Sequence, residues 1–460
     1  MRAMAIGAAA GLAATSAAAE PFRLGEALSA PDWLTVKGET RGRYESLDGQ
    51  FRAGLDGSDQ ALLFRTLFQV EADAGPVAFG IELQDSRAYL DDAGTPLSSS
   101  FVNPLDFLQA YGRLDLPGLL GEGSSTDLTL GRQTVSIGSK RQIERVSFAN
   151  VIKSFTGGHL ESRSARGDEL HVVLVVPVGR MPSDRASIGR NDLVFDREEF
   201  GRKIWAVHYR RRDILPRAAP GLWGEAFVYG LYETDTARVP TPNRRYATPG
   251  FRFFRARKRG QWDVDLEVAG RFGSRRETSD PADVDDLSVA AGNVHAAFGY
   301  TFDHPWRPRF SVDFDYSSGD QTPGDDRFDQ YERLFGSRRT DLGNTSIHGP
   351  LTPANLSAPG FRVTAAPSSR LDGRIAYKAA SLASRTDEFI IADLQDPAGE
   401  SGKFLGHAID GRVRYEIVED SVELEIGASV FFYGGFTRNV SGGPPGDRTL
   451  FGFSSIKFDF

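Results

Sequence analysis

Residues 36–45 read VKGETRGRYE, and all five charged side chains of this stretch occupy odd-numbered positions. The even-numbered positions between them carry no charge. Successive side chains of a β-strand point to opposite faces, so an extended chain here places all the charges on one side. The pattern therefore predicts a strand with one wholly charged face and one wholly uncharged face.

The composition of the 460-residue chain favours many short strands joined by turns. It contains 50 glycines, 32 phenylalanines, 13 tyrosines and 40% hydrophobic residues, a hydrophobic share too high for a disordered chain. It has no cysteine, which excludes disulfides, thiolate metal sites, iron–sulfur clusters and a lipid-modified cysteine. Arginine supplies 46 of the 54 basic residues, and its rigid fork is suited to pairing with carboxylates.

The first nineteen residues resemble an export signal. Residues 1–2 form a short positive segment, residues 3–14 are apolar, and residues 17–19 read AAA as an A-x-A cleavage site. We therefore expect a signal peptide over 1–19. No later stretch approaches the ~20 consecutive apolar residues that a spanning helix requires, so an exported chain without a helical anchor is predicted.

The alternation of residues 36–45 recurs along almost the whole chain. It is found again in QWDVDLEVAGRF (261–272), RFSVDFDYS (309–317) and IDGRVRYEI (409–417). Counting weaker candidates gives about eighteen strands, most of them of the ~9–11 residues that cross a bilayer when tilted. Convincing helical periodicity is absent, and the pattern leaves room for one short lid helix.

Three further features favour a membrane barrel over a soluble β-sandwich, which also alternates polar and apolar residues. The polar faces carry dense rows of both signs of charge. Aromatic residues concentrate near predicted strand ends, as in interfacial girdles. The C-terminal IKFDF (456–460) ends an alternating strand on Phe460 and is similar to the recognition signal of bacterial outer-membrane barrels. The predicted fold class is all-β, a transmembrane antiparallel β-barrel of about 18 strands with its uncharged faces toward lipid and its charged faces toward a wet lumen.

The connections between the predicted strands have two lengths, which is the pattern of short periplasmic turns and long extracellular loops. No second domain is indicated, so residues 20–460 are expected to form a single barrel domain. The short connections are 74–76, 211–213 and 257–260, and the long ones are 89–106, 180–200, 274–288, 317–360 and 384–406.

Two stretches carry a family resemblance. Residues 131–162 contain GRQ, a G-x-x-R turn at Gly138 and Arg141, an aromatic-Asn pair and K-S-F, and residues 314–363 contain D-Y-x-S-G-D, RFD, LF and N-L-x-x-P-G. With these motifs the chain resembles the alginate-export family of outer-membrane proteins, although Thr156 stands where that family often has an acid. The resemblance implies an eighteen-stranded barrel, an outer-membrane location in a Gram-negative bacterium, a monomer and an anionic or sugar-like solute.

A pore for a polyanion requires cations that bind weakly and repeatedly, and arginine binds carboxylates through two parallel hydrogen bonds. Each arginine has an alternative role, pairing with lumen acids to hold the barrel's shape. That structural role is favoured for Arg41 and Arg43, which share a face with two glutamates. By the family match we expect these residues to line the pore: Arg132, Arg141, Arg338 and Arg339, helped by Arg41, Arg43 and Arg163.

The sequence gives little support for a metal site or a catalytic site. A calcium site in the loop 317–360 is conceivable, but the acid spacing fits no EF-hand, and a solvated loop or an inward lid carrying Arg338 and Arg339 are the alternatives. The seven histidines show no ligand spacing, and no nucleophile elbow, P-loop or dinucleotide fingerprint is present. No enzyme and no cofactor are therefore expected. The acids of that loop are Asp320, Asp325, Asp326 and Asp329.

The leading functional hypothesis is a passive outer-membrane channel for an anionic polysaccharide or its oligosaccharides. The alternatives are a general or small-anion porin for uptake, and a non-transporting adhesin or scaffold barrel. The expected partners are outer-membrane lipid and lipopolysaccharide, the acidic saccharide itself and periplasmic export proteins, with no role for nucleic acid. The sequence leaves both the solute and the direction of flow open.

Overall fold

The computed structural model describes residues 20–55, 57–92 and 94–460. The signal peptide expected at 1–19 lies outside the described residues. The regular secondary structure of the described chain is almost entirely β. Its strands are β1 (Leu34–Asp48), β2 (Ser58–Asp73), β3 (Val77–Tyr89), β4 (Asn103–Asp115), β5 (Ser125–Gln133), β6 (Phe155–Arg163), β7 (Glu169–Gly179), β8 (Arg197–Glu198), β9 (Arg202–Arg211), β10 (Leu222–Glu233), β11 (Arg245–Arg255), β12 (Gln261–Arg275), β13 (Leu287–Thr301), β14 (Arg309–Ser317), β15 (Arg327–Phe328), β16 (Leu356–Ala365), β17 (Leu371–Ser381), β18 (Phe404–Val418), β19 (Val422–Tyr433) and β20 (Arg448–Asp459).

Helices are few and short. The sequence favours at most one lid helix, whereas the described residues form four helices of four to six residues each. No helix in this part of the chain is long and apolar enough to cross a membrane. The helices are α1 (Leu24–Ala27), α2 (Arg185–Arg190), α3 (Arg339–Leu342) and α4 (Gly435–Asn439).

Eighteen of the strands form one closed antiparallel barrel. Each pairs with its neighbour in chain order, and β1 pairs with β20 to close the ring. The two-residue strands β8 and β15 stand outside this order, against the ends of β7 and β13. Closure satisfies the backbone of every barrel strand without leaving an edge. The predicted fold class and strand number are confirmed.

The opening stretch, residues 36–45, lies within β1. Its charged row faces the interior, where Arg43 is 1% exposed and Glu45 is 0% exposed. Tyr44, on the other row, points outward and is 40% exposed. Arg41 lies opposite Arg65 of β2 and Lys457 of β20, so the charged rows of neighbouring strands meet in the lumen, as the alternation predicts.

The outer face of the barrel is apolar and carries aromatic residues. Phe79, Leu174 and Phe298 are among its exposed side chains. Trp262 stacks on Phe298 with ring centroids 4.8 Å apart and contacts Tyr300 at the same distance. Such a surface is suited to lipid at the membrane interface.

The two ends of the barrel differ in the length of their connections, as predicted. We call the end with short connections the turn end and the end with long connections the loop end; these are the periplasmic and extracellular sides of the sequence prediction. The turn-end connections are 74–76, 116–124, 164–168, 212–221, 256–260, 302–308, 366–370 and 419–421, and the loop-end connections are 49–57, 90–102, 134–154, 180–201, 234–244, 276–286, 318–355, 382–403 and 434–447.

Two of the long connections fold into the barrel, and we call 134–154 inner loop 1 and 318–355 inner loop 2. The turn predicted near Gly138 is present, with the amide of Lys140 donating to the carbonyl of Ile137 at 3.0 Å. The sequence pattern does not predict the length of this connection. Apolar side chains of inner loop 1, including Ile143, are buried with lumen-facing residues of β7, β9 and β10. Hydrophobic burial therefore draws the loop inward.

Candidate functional site

The two inner loops contact each other through backbone hydrogen bonds. Ile143 and Phe335 form a parallel bridge, and the amide of Phe335 donates to the carbonyl of Gln142 at 2.9 Å. A Cβ atom added to Gly336 would overlap the carbonyl group of Arg141. The loops therefore meet backbone to backbone, and this close approach requires glycine at position 336.

Three arginines of the barrel wall hold inner loop 1 by its main chain. Arg41 donates to the carbonyls of Ser147 and Ala149 at 2.9 and 3.0 Å. Arg65 donates to the carbonyl of Ser147 at 2.8 Å, and Arg43 to that of Phe148 at 2.5 Å. Guanidinium groups on β1 and β2 thus satisfy carbonyl groups that would otherwise be buried without partners.

The other part of inner loop 1 is fixed on a different side of the lumen. Arg141 makes ion pairs with Glu267 and Asp341 at 2.9 Å and with Asp265 at 3.1 Å. Two of these acids belong to β12, and Asp341 belongs to α3 in inner loop 2. The loop therefore crosses the barrel from the β1–β2 wall to the β12 wall.

Inner loop 2 has its own attachments to the wall. Arg339 pairs with Glu425 of β19 at 2.5 Å, and Asn344 donates to the hydroxyl of Ser429 at 3.0 Å. These contacts place α3 beside the crossing segment of inner loop 1.

Phe148 lies between two guanidinium groups at the point where the inner loops and β1 meet. The guanidinium carbon of Arg43 is 4.0 Å from the ring centroid, and that of Arg339 is 3.6 Å from it. The ring is 8% exposed, and cation–π contacts of this kind strengthen when they are desolvated. Phe148 therefore holds two like charges close together.

The inner loops enclose a cavity of about 280 Å³, which we call the cationic chamber. No Asp or Glu side chain from the part of the chain that the structure describes lines it. Six cationic side chains do: Arg43, Lys153, Arg180, Arg333, Arg338 and Arg339.

Four of the six cations lack a carboxylate partner within 4.0 Å among the described residues, whereas Arg43 and Arg339 pair with Glu45 and Glu425. The unpaired groups contact main-chain carbonyls or an aromatic ring. Arg338, for example, donates to the carbonyls of Gly349 and Leu351, both at 2.7 Å. The four are Lys153, Arg180, Arg333 and Arg338.

The positive side chains of the chamber lie close together and repel one another. Burial, followed by the charges of Arg180 and Arg333, lowers the pKa of Lys153 well below its ordinary value. Burial and the charges of Arg333 and Arg52 lower the pKa of Arg338 to about 9. An anion in the chamber would offset this repulsion and favour the charged forms of both side chains.

A second cavity lies toward the turn end and has a volume of about 260 Å³. Its lining mixes acids with arginines, among which Arg257 and Arg362 have no carboxylate within 4.0 Å in the described residues. A third cavity of only about 20 Å³ shares Arg338 with the chamber and Arg141 with the second cavity. We call this small cavity the neck. Its lining therefore includes residues of both the chamber and the second cavity.

The arginines predicted from the sequence fall into four groups. Arg43, Arg338 and Arg339 line the chamber, and Arg141 lines the neck. Arg41 holds inner loop 1 by its carbonyls.

The remaining two predicted arginines lie apart from the chamber. Arg132, at the end of β5, pairs with Glu198 at 2.7 Å and Asp106 at 3.5 Å. Arg163 pairs with Glu161 at 3.0 Å beside the turn 164–168. Neither lines any of the three cavities.

Three chamber residues were not predicted from the sequence as site residues: Lys153, Arg180 and Arg333. They lie on three different connections, so no spacing in the chain shows that they converge. The one local signal is the K-S-F motif, whose lysine is Lys153.

The acidic loop considered for calcium does not gather its carboxylates. Asp329 pairs with Arg327 at 3.0 Å, and Asp325 accepts from the amide of the same residue at 2.7 Å. Asp320 is buried and lies next to Asp387, which accepts from its amide. Among the described residues these acids form no three-ligand cluster.

Comparison with protein families finds a match to the alginate export family over residues 32–449. A comparison with curated proteins finds no match.

Solved structures share the fold at low sequence identity. OccK2 (OpdF) of Pseudomonas aeruginosa, in complex with glucuronate, is 13% identical, covers 92% of this chain and 98% of its own, and gives a TM-score of 0.56. A BenF-like porin from Pseudomonas fluorescens Pf-5 is 13% identical, with 93% and 99% covered and a TM-score of 0.60. OccK9 (OpdG) of Pseudomonas aeruginosa is 12% identical, with 93% and 98% covered and a TM-score of 0.60. These likenesses identify the fold as that of outer-membrane porins.

Proposed function

Because the chain belongs to the alginate export family, we propose that this outer-membrane β-barrel channel passes an anionic polysaccharide or its oligosaccharides, with the cationic chamber as the point of selection. The family and the porin fold together assign a channel. The identity of the solute rests on the chemistry of the chamber.

One observation carries the proposal: within the described residues, four cations without carboxylate partners surround one cavity that no acid lines. A guanidinium or ammonium group that is already paired gains little from a second anion, whereas an unpaired one gains a charge-assisted hydrogen bond. Several such groups around one space let a carboxylate exchange one cation for the next, so that the solute binds without being trapped.

The paired arginines have a different role in this proposal. Arg141 is surrounded by three acids, so its charge is compensated before a solute arrives. We assign it to holding the neck, and we assign solute contact to Lys153, Arg180, Arg333 and Arg338. The unpaired Arg257 and Arg362 of the second cavity extend the path toward the turn end.

The glucuronate complex of OccK2 supports this choice of solute class. Glucuronate is an anionic sugar, and the structure carrying it has the same fold as this chain. An acidic polysaccharide is a chain of sugar units that carry carboxylates, as glucuronate does. A cation-lined lumen of this fold therefore suits either the single sugar or the polymer.

A second candidate function, a porin for small organic anions, is favoured by the neck. Its volume of about 20 Å³ is room for about one water molecule. A polymer requires the inner loops to separate there, whereas a small carboxylate requires a smaller movement.

Single-channel recording in planar bilayers tests the proposal. We expect anion-selective current that oligouronates block. In the double variant Lys153→Gln/Arg180→Gln we expect the affinity of block to fall at least about tenfold, since each lost charge-assisted contact is worth roughly 1.5–3 kcal/mol.

The matched control is Arg259→Gln. Arg259 pairs with Asp303 at 2.8 Å on an exposed connection of the turn end, so this variant removes a charge without altering the chamber. Block by monomeric carboxylates but not by oligouronates would favour the small-anion porin. Cation-selective current without block would contradict both functions.

A further inference from the structure

We propose that the lumen wall carries a binding site for a divalent transition metal of the zinc class, formed by His159 and Glu161 of β6 and His171 of β7. This site is separate from the cationic chamber and does not depend on the solute. It lies near the turn end, beside the connection 164–168, and it would join two neighbouring strands of the barrel.

Strand register brings the three side chains together. Glu161 and His171 are directly opposite each other in the β6–β7 pair, and His159 is two residues before Glu161, so its side chain lies on the same face. That face is the lumen side, because His171 is buried inside the barrel. Diagonal neighbours on one face of an antiparallel pair lie within reach of long side chains.

The two imidazoles present nitrogen atoms to each other. His159 Nε2 and His171 Nδ1 are 3.1 Å apart, and the rings stack with centroids 5.3 Å apart. Neutral histidine carries its proton on either ring nitrogen. With His159 protonated at Nδ1 and His171 at Nε2, both facing atoms offer lone pairs to the same point.

Without a metal, one ring can donate an N–H···N hydrogen bond to the other at this distance; the same separation also suits two ligands of one metal ion. Zinc binds histidine nitrogen at roughly 2.0–2.1 Å with tetrahedral geometry, so two such ligands lie roughly 3.3–3.4 Å apart. The separation of 3.1 Å requires only a small adjustment. One ligand atom from each of His159, Glu161 and His171 falls within 4.8 Å of the others.

The third ligand is the free oxygen of Glu161. Its Oε2 atom is 4.0 Å from His171 Nδ1, while Oε1 accepts a hydrogen bond from Arg163 at 3.0 Å. Arg163 thereby orients the carboxylate and leaves one oxygen available. Two histidines, one carboxylate and a water molecule from the lumen complete a four-coordinate zinc site. Imidazole ligands favour zinc, copper or nickel over calcium and magnesium.

A second carboxylate lies behind the buried histidine. His171 Nε2, the nitrogen that keeps its proton, is 3.9 Å from Glu169 Oε2. Metal-bound histidines usually donate their other N–H group to a carboxylate, which fixes the tautomer and strengthens the ligand. The separation of 3.9 Å exceeds hydrogen-bond distance, so Glu169 must move toward His171 to make this contact. Glu169 is in turn paired with Arg210. The negative charges of Glu161 and Glu169 are thus balanced by Arg163 and Arg210 before a cation binds.

No sequence motif marks His159, Glu161 and His171, and these residues do not line the cationic chamber. The two histidines are on separate strands and face each other only after β6 and β7 pair. His208 of β9, directly opposite His171, is engaged with the Tyr229 hydroxyl at 3.1 Å and is not counted as a ligand.

Zinc binding to the folded full chain in detergent tests the site. After treatment with EDTA, we expect equilibrium dialysis against Zn²⁺ to give one ion per chain. We expect Glu169→Gln to weaken binding roughly 10–100-fold, as loss of a group that orients a ligand does, and His159→Gln and His171→Gln to weaken it further. The matched control is His407→Gln, which removes a histidine bonded to the Tyr377 hydroxyl at an exposed position.

A measurement on the unmodified chain decides the case even where a variant fails to fold. Crystals soaked in zinc should show anomalous scattering between His159 Nε2 and His171 Nδ1. Zinc bound only elsewhere, no zinc bound by the folded wild-type chain, or unchanged affinity in folded His159→Gln and His171→Gln would overturn the proposal.

Discussion

Phe148 shows how one side chain organises charge in this lumen. Its ring separates Arg43 from Arg339, two like charges that each also have a carboxylate partner. The aromatic face attracts both guanidinium groups, while the acids on β1 and β19 limit their movement. A buried aromatic residue thus sets part of the electrostatic shape of the chamber.

We therefore expect Phe148→Leu to reduce the preference of the channel for anions. The substitution removes two cation–π contacts worth roughly 0.5–2 kcal/mol each and lets Arg43 and Arg339 separate. The permeability ratio of chloride to potassium measures the effect. Phe431→Leu is the control, because Phe431 is a buried aromatic residue whose ring contacts are Phe51, Phe389 and Tyr433. Equal loss of selectivity in both variants would contradict a specific role for Phe148.

Gly336 supports a second prediction about one residue. A methyl group at this position would overlap the carbonyl of Arg141, so we expect Gly336→Ala to push the inner loops apart. Overpacking of this kind costs about 1–3 kcal/mol. Faster cleavage of the inner loops by a protease added to the folded protein would reveal the separation. Gly189→Ala is the control, since a Cβ atom there meets nothing within 4 Å; similar cleavage in both variants would argue against the close approach.

The inner loops are the elements that turn a barrel into a selective channel. Their shared bridge at Ile143 and Phe335 and the ion pair of Arg141 with Asp341 make them one unit across the lumen. Because that unit is attached to β1, β2, β12 and β19, its position depends on the whole ring of strands.

The ion pair between the loops predicts their response to pH. Burial alone would raise the pKa of Asp341, but Arg141 and then His295 lower it well below its ordinary value of 3.8. A lowered folded-state pKa gives stabilisation that is present above 3.8 and is lost as the pH falls below that value. We expect steady single-channel current down to about pH 4 and rising current noise in more acid solution.

Asp341→Asn is the control for this prediction, because asparagine carries no charge at any pH. The variant should show the noise already at neutral pH and little further change in acid. Current noise in the wild-type channel that begins well above pH 4 would assign the transition to another group.

The barrel strands could be predicted from the sequence far better than the inner loops. Strands such as β3 and β12 display their period of two directly, because lipid on one side and water on the other impose opposite requirements on successive residues. Inner loop 1 has no period. Its apolar residues, such as Ile143, meet wall residues of β7, β9 and β10 that are distant in the chain.

The site residues likewise divide into those that the sequence predicts and those that it does not. The family motifs point to Arg338 and Arg339, and the structure places both at the chamber. Arg180 and Arg333 carry no motif, and their proximity depends on how two loops fold within a closed ring. The same reason applies to His159 and His171, which become neighbours only through strand pairing.

The molecule as a whole is acidic while its chamber is cationic. The chain has a formal net charge of −8, so long-range attraction does not draw an anion toward it. Selection therefore depends on the short-range field of the chamber itself, which salt in the lumen screens.

This separation of charges predicts how selectivity responds to ionic strength. We expect a clear preference for anions at 0.1 M KCl, where the screening length is about 10 Å, and a weaker one at 1 M, where it is about 3 Å. Reversal potentials across a salt gradient measure it. Lys153→Gln/Arg180→Gln is the control and should show a smaller preference at the low concentration. A preference that is independent of salt would contradict this screening of the chamber's field.

The attachment of inner loop 1 has a consequence for how such channels diversify. Arg41, Arg43 and Arg65 bind carbonyl groups of residues 147–149, and every amino acid supplies a carbonyl group. The contacts that position inner loop 1 therefore do not depend on most of the side chains of the loop. Mutations can replace the side chains that line the pore while the backbone of the loop keeps its position. New specificities can therefore arise in one lineage, or be engineered, without changes to the barrel.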